Sequence, residues 1–258
     1  MAVTIKKPEE IIKLREGGRR LARTLAAVAT TARPGISAEE LDRAARCLIE
    51  EGGDRPSFLG YRGKRDAKPF PATLCVSVND EVVHGVPTAE KVLRAGDIVG
   101  IDAGLIHEGL FVDAAMTIAV GGKTDRAGER LLSVTREALV VGIAAARAGA
   151  TTGDIGAAIE AFVRPSGFGI VRELAGHGVG YAVHEDPFIP NFGKRGEGVP
   201  LQSGMVIAIE PMLTEGKHVI VLADDGFTYK TKDGSRATHF EHTILITDGE
   251  PEILTRND

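Results

Sequence analysis

Two stretches of the chain repeat one pattern, and that repetition limits the fold more than any other feature. ARPGISAEELDRAARCLIEEGG, residues 32–53, and ARAGATTGDIGAAIEAFVRPSG, residues 146–167, each give Ala-Arg-x-Gly, then a hydroxyl side chain in a capping position, then a helix of similar length. Ser37 and Glu40 make the capping-box pattern in the first copy, with Leu41, Ala45 and Leu48 as its apolar stripe. A second correspondence joins VVHGVP, from Val82, to AVHEDP, from Ala182. A third aligns AGDIVGIDAG, residues 95–104, with SGMVIAIEPM, residues 203–212, so Asp102 and Glu210 take equivalent places in two strands.

Each copy follows another helical segment. Ile11, Leu14, Leu21, Leu25 and Val28 recur at helical spacing before the first, and DRAGERLLSVTREALVVGIAAARAG leads into the second. Strand patterns fill about Thr73 to Val120 and most of Ile170 to Thr247. A helix pair followed by strands, twice over, predicts one α+β domain spanning 1–258, with halves of about 1–122 and 123–258 and helices covering one face of a joined antiparallel sheet.

With 258 residues and 43% of them hydrophobic, the chain can bury a full core. Its net charge of -5 argues against a general polyanion binder, so DNA is not an expected partner. No apolar run reaches the roughly 18 residues of a membrane span, and the charged start has no signal-peptide core. Cys47 and Cys75 have neither redox nor metal spacing, which fits a reducing cytoplasm. Lys6, Lys7, Lys13, Arg15, Arg19, Arg20 and Arg23 read as a solvated helix face, with weak contact to ribosomal RNA as the alternative.

The strands carry acids where apolar residues belong. Asp102 ends the run IVGID, Asp113 interrupts GLFVDAAM, Glu210 lies in VIAIEPM and Glu241 in HFEHTILI. Alone, each reads as an edge-strand residue paired to a surface Lys or Arg. Four together would repel one another unless a counterion gathered them, and the flanking stretches offer no buried Lys or Arg. A divalent metal removes the repulsion. His177, between the glycines of GHGVG, offers a fifth ligand. Four carboxylates and an imidazole suit a pair of Mn, Fe or Co ions better than structural zinc, and such a pair presents a bridging hydroxide to a carbonyl. His84 and His184 come from equivalent points of the two halves; near such a centre they would donate hydrogen bonds as charge develops, or else they cap loops. His107, His218 and His242 read as surface or packing residues, whereas His239 shares the side of its strand with Glu241.

Other chemistries fail on spacing. VGGKT has Thr117 where a phosphate loop needs its first glycine, and GHGVGY has Tyr181 where a dinucleotide fingerprint needs its last. HExxH and Gly-x-Ser-x-Gly are absent.

Taken as a set, VNDEVVHGVP, GIDAG with Asp113 eleven residues after its Asp102, GHGVGYAVHEDP, AIEPM and FEHT resemble the type I methionine aminopeptidases of the pita-bread fold, along nearly the whole chain. The resemblance implies that Asp102, Asp113, His177, Glu210 and Glu241 bind two divalent ions, Co, Mn, Fe or Zn, with Asp113 and Glu241 bridging. It implies that Glu210 also relays a proton, that His84 meets the scissile amide nitrogen and that His184 stabilises the carbonyl oxygen. It implies a peptide or nascent-chain substrate with an amino-terminal Met before a small residue. Its methionine pocket corresponds to Tyr61, Cys75 and Phe227, although Val183 stands where some relatives have an aromatic and RGKRDAKPF is longer than the usual connection; Cys75 also reads as a plain core residue. The expected enzyme is monomeric and cytoplasmic. The rivals are a proline-specific aminopeptidase, which would carry a further amino-terminal domain, and a non-catalytic peptide-binding protein of the same fold, which would lack metal ligands.

Overall fold

The computed structural model describes residues 3–63 and 67–256. Its helices are α1 (Pro8–Thr31), α2 (Ala38–Glu51), α3 (Arg126–Ala145) and α4 (Thr152–Val163). The two repeats become α2 and α4, and they start in the same way. Ser37 accepts the Glu40 amide and Glu40 takes the Ser37 amide at 2.8 Å; Thr151 and Asp154 repeat the exchange, also at 2.8 Å. Even an isolated bridge recurs, Ser37 with Val92 and Thr151 with Pro200.

The buried stripe of α2 is Ala38, Leu41, Ala45 and Ile49, which corrects the expectation for Leu48: Leu48 is 40% exposed and Ile49 1%. At 100° per residue, Leu48 falls to the flank of the arc that the other four define. In α1, Gly17 and Gly18 do not break the helix but bring it close to its support. A Cβ on Gly18 would stand 2.3 Å from the Leu254 carbonyl oxygen.

The main sheet has nine strands among the described residues. Leu110–Ala119 and Glu241–Leu245 pair antiparallel at its centre. On one side follow Ile98–His107 and then Leu74–Val78; on the other follow Val206–Ile209 and then Gly176–Gly178. The order is thus symmetric about the central pair. α1 and α2 share a core with Val99, Ile101, Ala103, Leu105 and Val112, while α3 and α4 share another with Ile207, Ile209 and Ile244. Strand alternation then turns Asp102 and Asp113, whose neighbours face the helices, toward the opposite face.

Candidate functional site

Register brings the acids together. Asp102 lies opposite Ala115, and Ala115 lies opposite Glu241, so a small methyl group separates two carboxylates on adjacent rows. Asp113 pairs with Gly104, two positions along the same face. His242 pairs with Ile209 on the next strand, which brings Glu210, one residue beyond Ile209, level with Glu241, and His177 pairs with Ala208 beyond that. Where the central ladder ends, Thr243 continues it with its side chain: its hydroxyl accepts the Asp113 amide at 3.0 Å and donates to the Asp113 carbonyl at 2.7 Å.

Asp113, His177 and Glu241 each offer a ligand atom, all within 4.8 Å of one another. His177 Nε2 is 3.6 Å from Glu210 Oε1. The His177 Nδ1–H donates to the Gly178 carbonyl at 3.0 Å, which leaves the Nε2 lone pair directed at the acids. The glycines of GHG follow from the close packing of this strand between its neighbours. A Cβ at Gly176 would lie 2.2 Å from the Ala208 oxygen, and one at Gly178 2.2 Å from the Asp186 oxygen.

The electrostatics call for a cation. Asp102, Asp113 and Glu241 are buried, and one oxygen of each has no hydrogen-bond partner. Desolvation first, then mutual repulsion, drives Asp113 and Glu241 well above the carboxylate range, and desolvation takes Asp102 up to about 7. Burial also pushes His177 down to about 4, so the imidazole is neutral. Orphaned hard oxygens beside a neutral imidazole are a donor set that fits divalent metal ions. The one buried lysine among the described residues lies elsewhere: Lys6 pairs with Glu185 at 2.8 Å.

Of the two further histidines, His184 is exposed and His84 half-buried. The rings of His184 and His177 meet edge to face with centroids 4.4 Å apart, and Tyr61 Oη lies 2.7 Å from His184 Nδ1. His84 has φ +58°, a left-handed conformation unusual for a residue with a side chain, and its ring packs against Tyr229 at 5.9 Å. Tyr61, Cys75 and Phe227 gather in one apolar cluster with Phe58, Phe70 and Val183. Phe70 and Phe227 meet edge to face at 5.3 Å. Of the segment RGKRDAKPF, residues 64–66 lie outside the described residues.

One residue of the site stands outside the expected set. His239 is buried, with Nε2 3.4 Å from Glu210 Oε2 and 4.0 Å from Glu241 Oε2 and no hydrogen-bond partner. Its parity with Glu241 was the available signal. His107 and His242 do lie away from the site, bonded to Asp54 and Thr255. The basic set is not a free patch. Lys6 is buried, Lys13 pairs with Glu108, Arg15 with Glu252, and Arg19 and Arg20 with Glu16.

Residues 12–248 match metallopeptidase family M24, and the chain belongs to that family. Over 99% of its length it is 44% identical to the methionine aminopeptidase of Aquifex aeolicus, and it covers 99% of that protein. A crystal structure of methionine aminopeptidase from Thermotoga maritima superimposes with a TM-score of 0.94 at 44% identity, over 99% of this chain and 100% of that one. Prolidase from Pyrococcus furiosus, at 23% identity and a TM-score of 0.78, shares the fold, and the chain spans 66% of it. The architecture is the α+β pita-bread fold.

Proposed function

We propose that the chain removes an amino-terminal methionine from peptides and nascent proteins whose second residue is small. The observation that carries this is the convergence of buried carboxylate oxygens without hydrogen-bond partners on His177, with an apolar cluster around Cys75 on the strand beside Asp102, in a full-length relative of methionine aminopeptidases. Asp102, Asp113, His177, Glu210 and Glu241 hold two divalent ions, which when bound supply Lewis acidity and a water of lowered pKa. The hard-donor set favours Mn, Fe or Co over zinc. The substrate, newly made protein, puts the enzyme in the cytoplasm.

Each remaining residue has a task set by its position. Tyr61, Cys75 and Phe227, with Phe58 and Val183, form an apolar wall that accepts a thioether side chain. Tyr61 donates its hydroxyl proton to His184 Nδ1, which leaves the imidazole proton on Nε2, where it donates to the substrate carbonyl oxygen as that oxygen gains charge. His84 meets the amide nitrogen that becomes the leaving group. Glu210 is the more open of the acids, with 13% of its side chain exposed against 3% for Glu241, and it carries the proton from nucleophile to leaving nitrogen.

The test is to strip the chain with a chelator, restore Mn, Co or Fe in turn, and assay two tripeptides. Release of Met from Met-Ala-Ser without cleavage of Ala-Pro-Ser is the expected outcome. Cleavage of the proline peptide would move the enzyme to the prolidase side of the family, and silence with every metal would make it a binding protein.

A further inference from the structure

Before α1 begins, the chain commits a charge to its interior. The side chains of Lys6 and Glu185 are 0% and 2% exposed, and they join at 2.8 Å although 179 residues separate them. The carboxylate of Glu185 is saturated with donors: Lys6 Nζ, the Thr4 hydroxyl at 2.6 Å, the Ala182 amide at 3.0 Å and the Tyr181 amide. Lys6 is fixed in turn by its own amide, which donates to the Gly204 carbonyl at 2.8 Å, and its ammonium lies 4.5 Å from the centre of the Tyr181 ring. Gly180, at φ +138°, lets the loop close onto the lysine stem, since a Cβ there would stand 2.2 Å from Lys6 Cε.

A buried ion pair contributes little net stability compared with an apolar pair of the same volume, so its value lies in fixing one geometry. The geometry fixed here is that of residues 181–185. His184 directly precedes the anchored carboxylate, and its exposed ring meets Tyr61 Oη through Nδ1 and the His177 ring edge to face.

We propose that Lys6 is a positioning residue for His184: the segment ahead of α1 latches Glu185 and so holds the imidazole at the height the substrate carbonyl requires. This rests on the reading of His184 given above. Because that imidazole acts on charge present only in the transition state, loosening the latch lowers kcat and leaves KM and cation affinity in place.

The experiment is a double-mutant cycle on the metal-loaded full chain, with Met-Ala-Ser as substrate and Lys6→Met, His184→Ala and the pair as variants. Lys6→Met is expected to lower kcat about 10- to 100-fold, the scale of a small misplacement of a reacting group. In the His184→Ala background the same change is expected to cost less than about threefold, because the group it positions is gone. Calorimetric titration with Mn should give wild-type affinity and stoichiometry for Lys6→Met. Equal losses in both backgrounds, or an unchanged kcat, overturn the latch while the peptidase reading stands. A wild-type chain that releases no methionine overturns both. If Lys6→Met does not fold, Thr4→Val removes one donor to the same carboxylate and must show a smaller loss with the same dependence on His184.

Discussion

Glu210 is held differently from the other acids of the site. It lies one residue past the end of the Val206–Ile209 strand, and its carbonyl receives a hydrogen bond at 3.0 Å from Asn191 Nδ2, a buried side chain. The next residue, Pro211, has no amide hydrogen, so the backbone here is pinned by that side chain rather than by a ladder. Glu210→Gln keeps the shape and removes the ability to take up a proton. Turnover of Met-Ala-Ser should fall to nearly nothing with an unchanged far-UV circular dichroism spectrum, and full activity would end the assignment of Glu210 as the proton carrier. His239 acts on the same carboxylate from the other side, 3.4 Å away. Its loss in His239→Ala should weaken Mn affinity or kcat by about 10- to 100-fold, the usual effect of removing a group that orients a ligand. Calorimetry beside kinetics separates the two, and wild-type values in both would return His239 to the packing residues.

Among the elements, most of what depends on local sequence is legible, the exchange of Leu48 for Ile49 in the buried stripe of the Ala38–Glu51 helix being the exception. The capping boxes at Ser37 and Thr151 and the acids placed in apolar runs depend on neighbours a few residues away, and alternation alone turns Asp102 and Asp113 off the helix side. Lys6 could not be read that way. Near a chain end a lysine is normally solvated, and the partner that buries it lies 179 positions on. His239 had the right parity, but its distance to Glu210 depends on how the Ala237–His239 strand meets the strand of Glu241, which is a tertiary fact. The glycines beside His177 were legible as permissive, whereas the carbonyls that require them were not. Gly178→Ala puts a methyl group 2.2 Å from the Asp186 oxygen. Urea unfolding should show a loss of about 1–3 kcal/mol from overpacking, together with weaker Mn binding as His177 shifts. A neutral substitution would mean that the strand has room the geometry denies.

At the scale of the whole molecule, the sheet stores an electrostatic conflict that either protons or cations relieve, and the conflict has a sign. Desolvation and repulsion raise Asp113 and Glu241 well above their ordinary values and Asp102 from 3.8 to about 7. A carboxyl raised in this way keeps a proton in the fold that the unfolded chain has released. Its contribution is therefore whole below the unfolded value and is lost as pH rises through the folded one. His177, His184 and His242, each lowered from 6.5 to about 4, work in the opposite direction, because between those values the unfolded chain binds protons that the fold refuses. About one pH unit above 6.5 the unfolded imidazoles too have released their protons, and the raised carboxyls then set the sign of the slope. Chelator-treated protein should thus melt at steadily lower temperature from about pH 7.5 to 8.5. With Mn present the slope should reverse, since the ligand oxygens must give up their protons to bind and the cation then stabilises the fold more as pH rises. Melting curves by calorimetry over that interval, with and without the ion, check both halves. A flat or rising profile in chelator would mean that the acids are already ionised and paired within the protein, and the case for a metal centre on this sheet would fall with it.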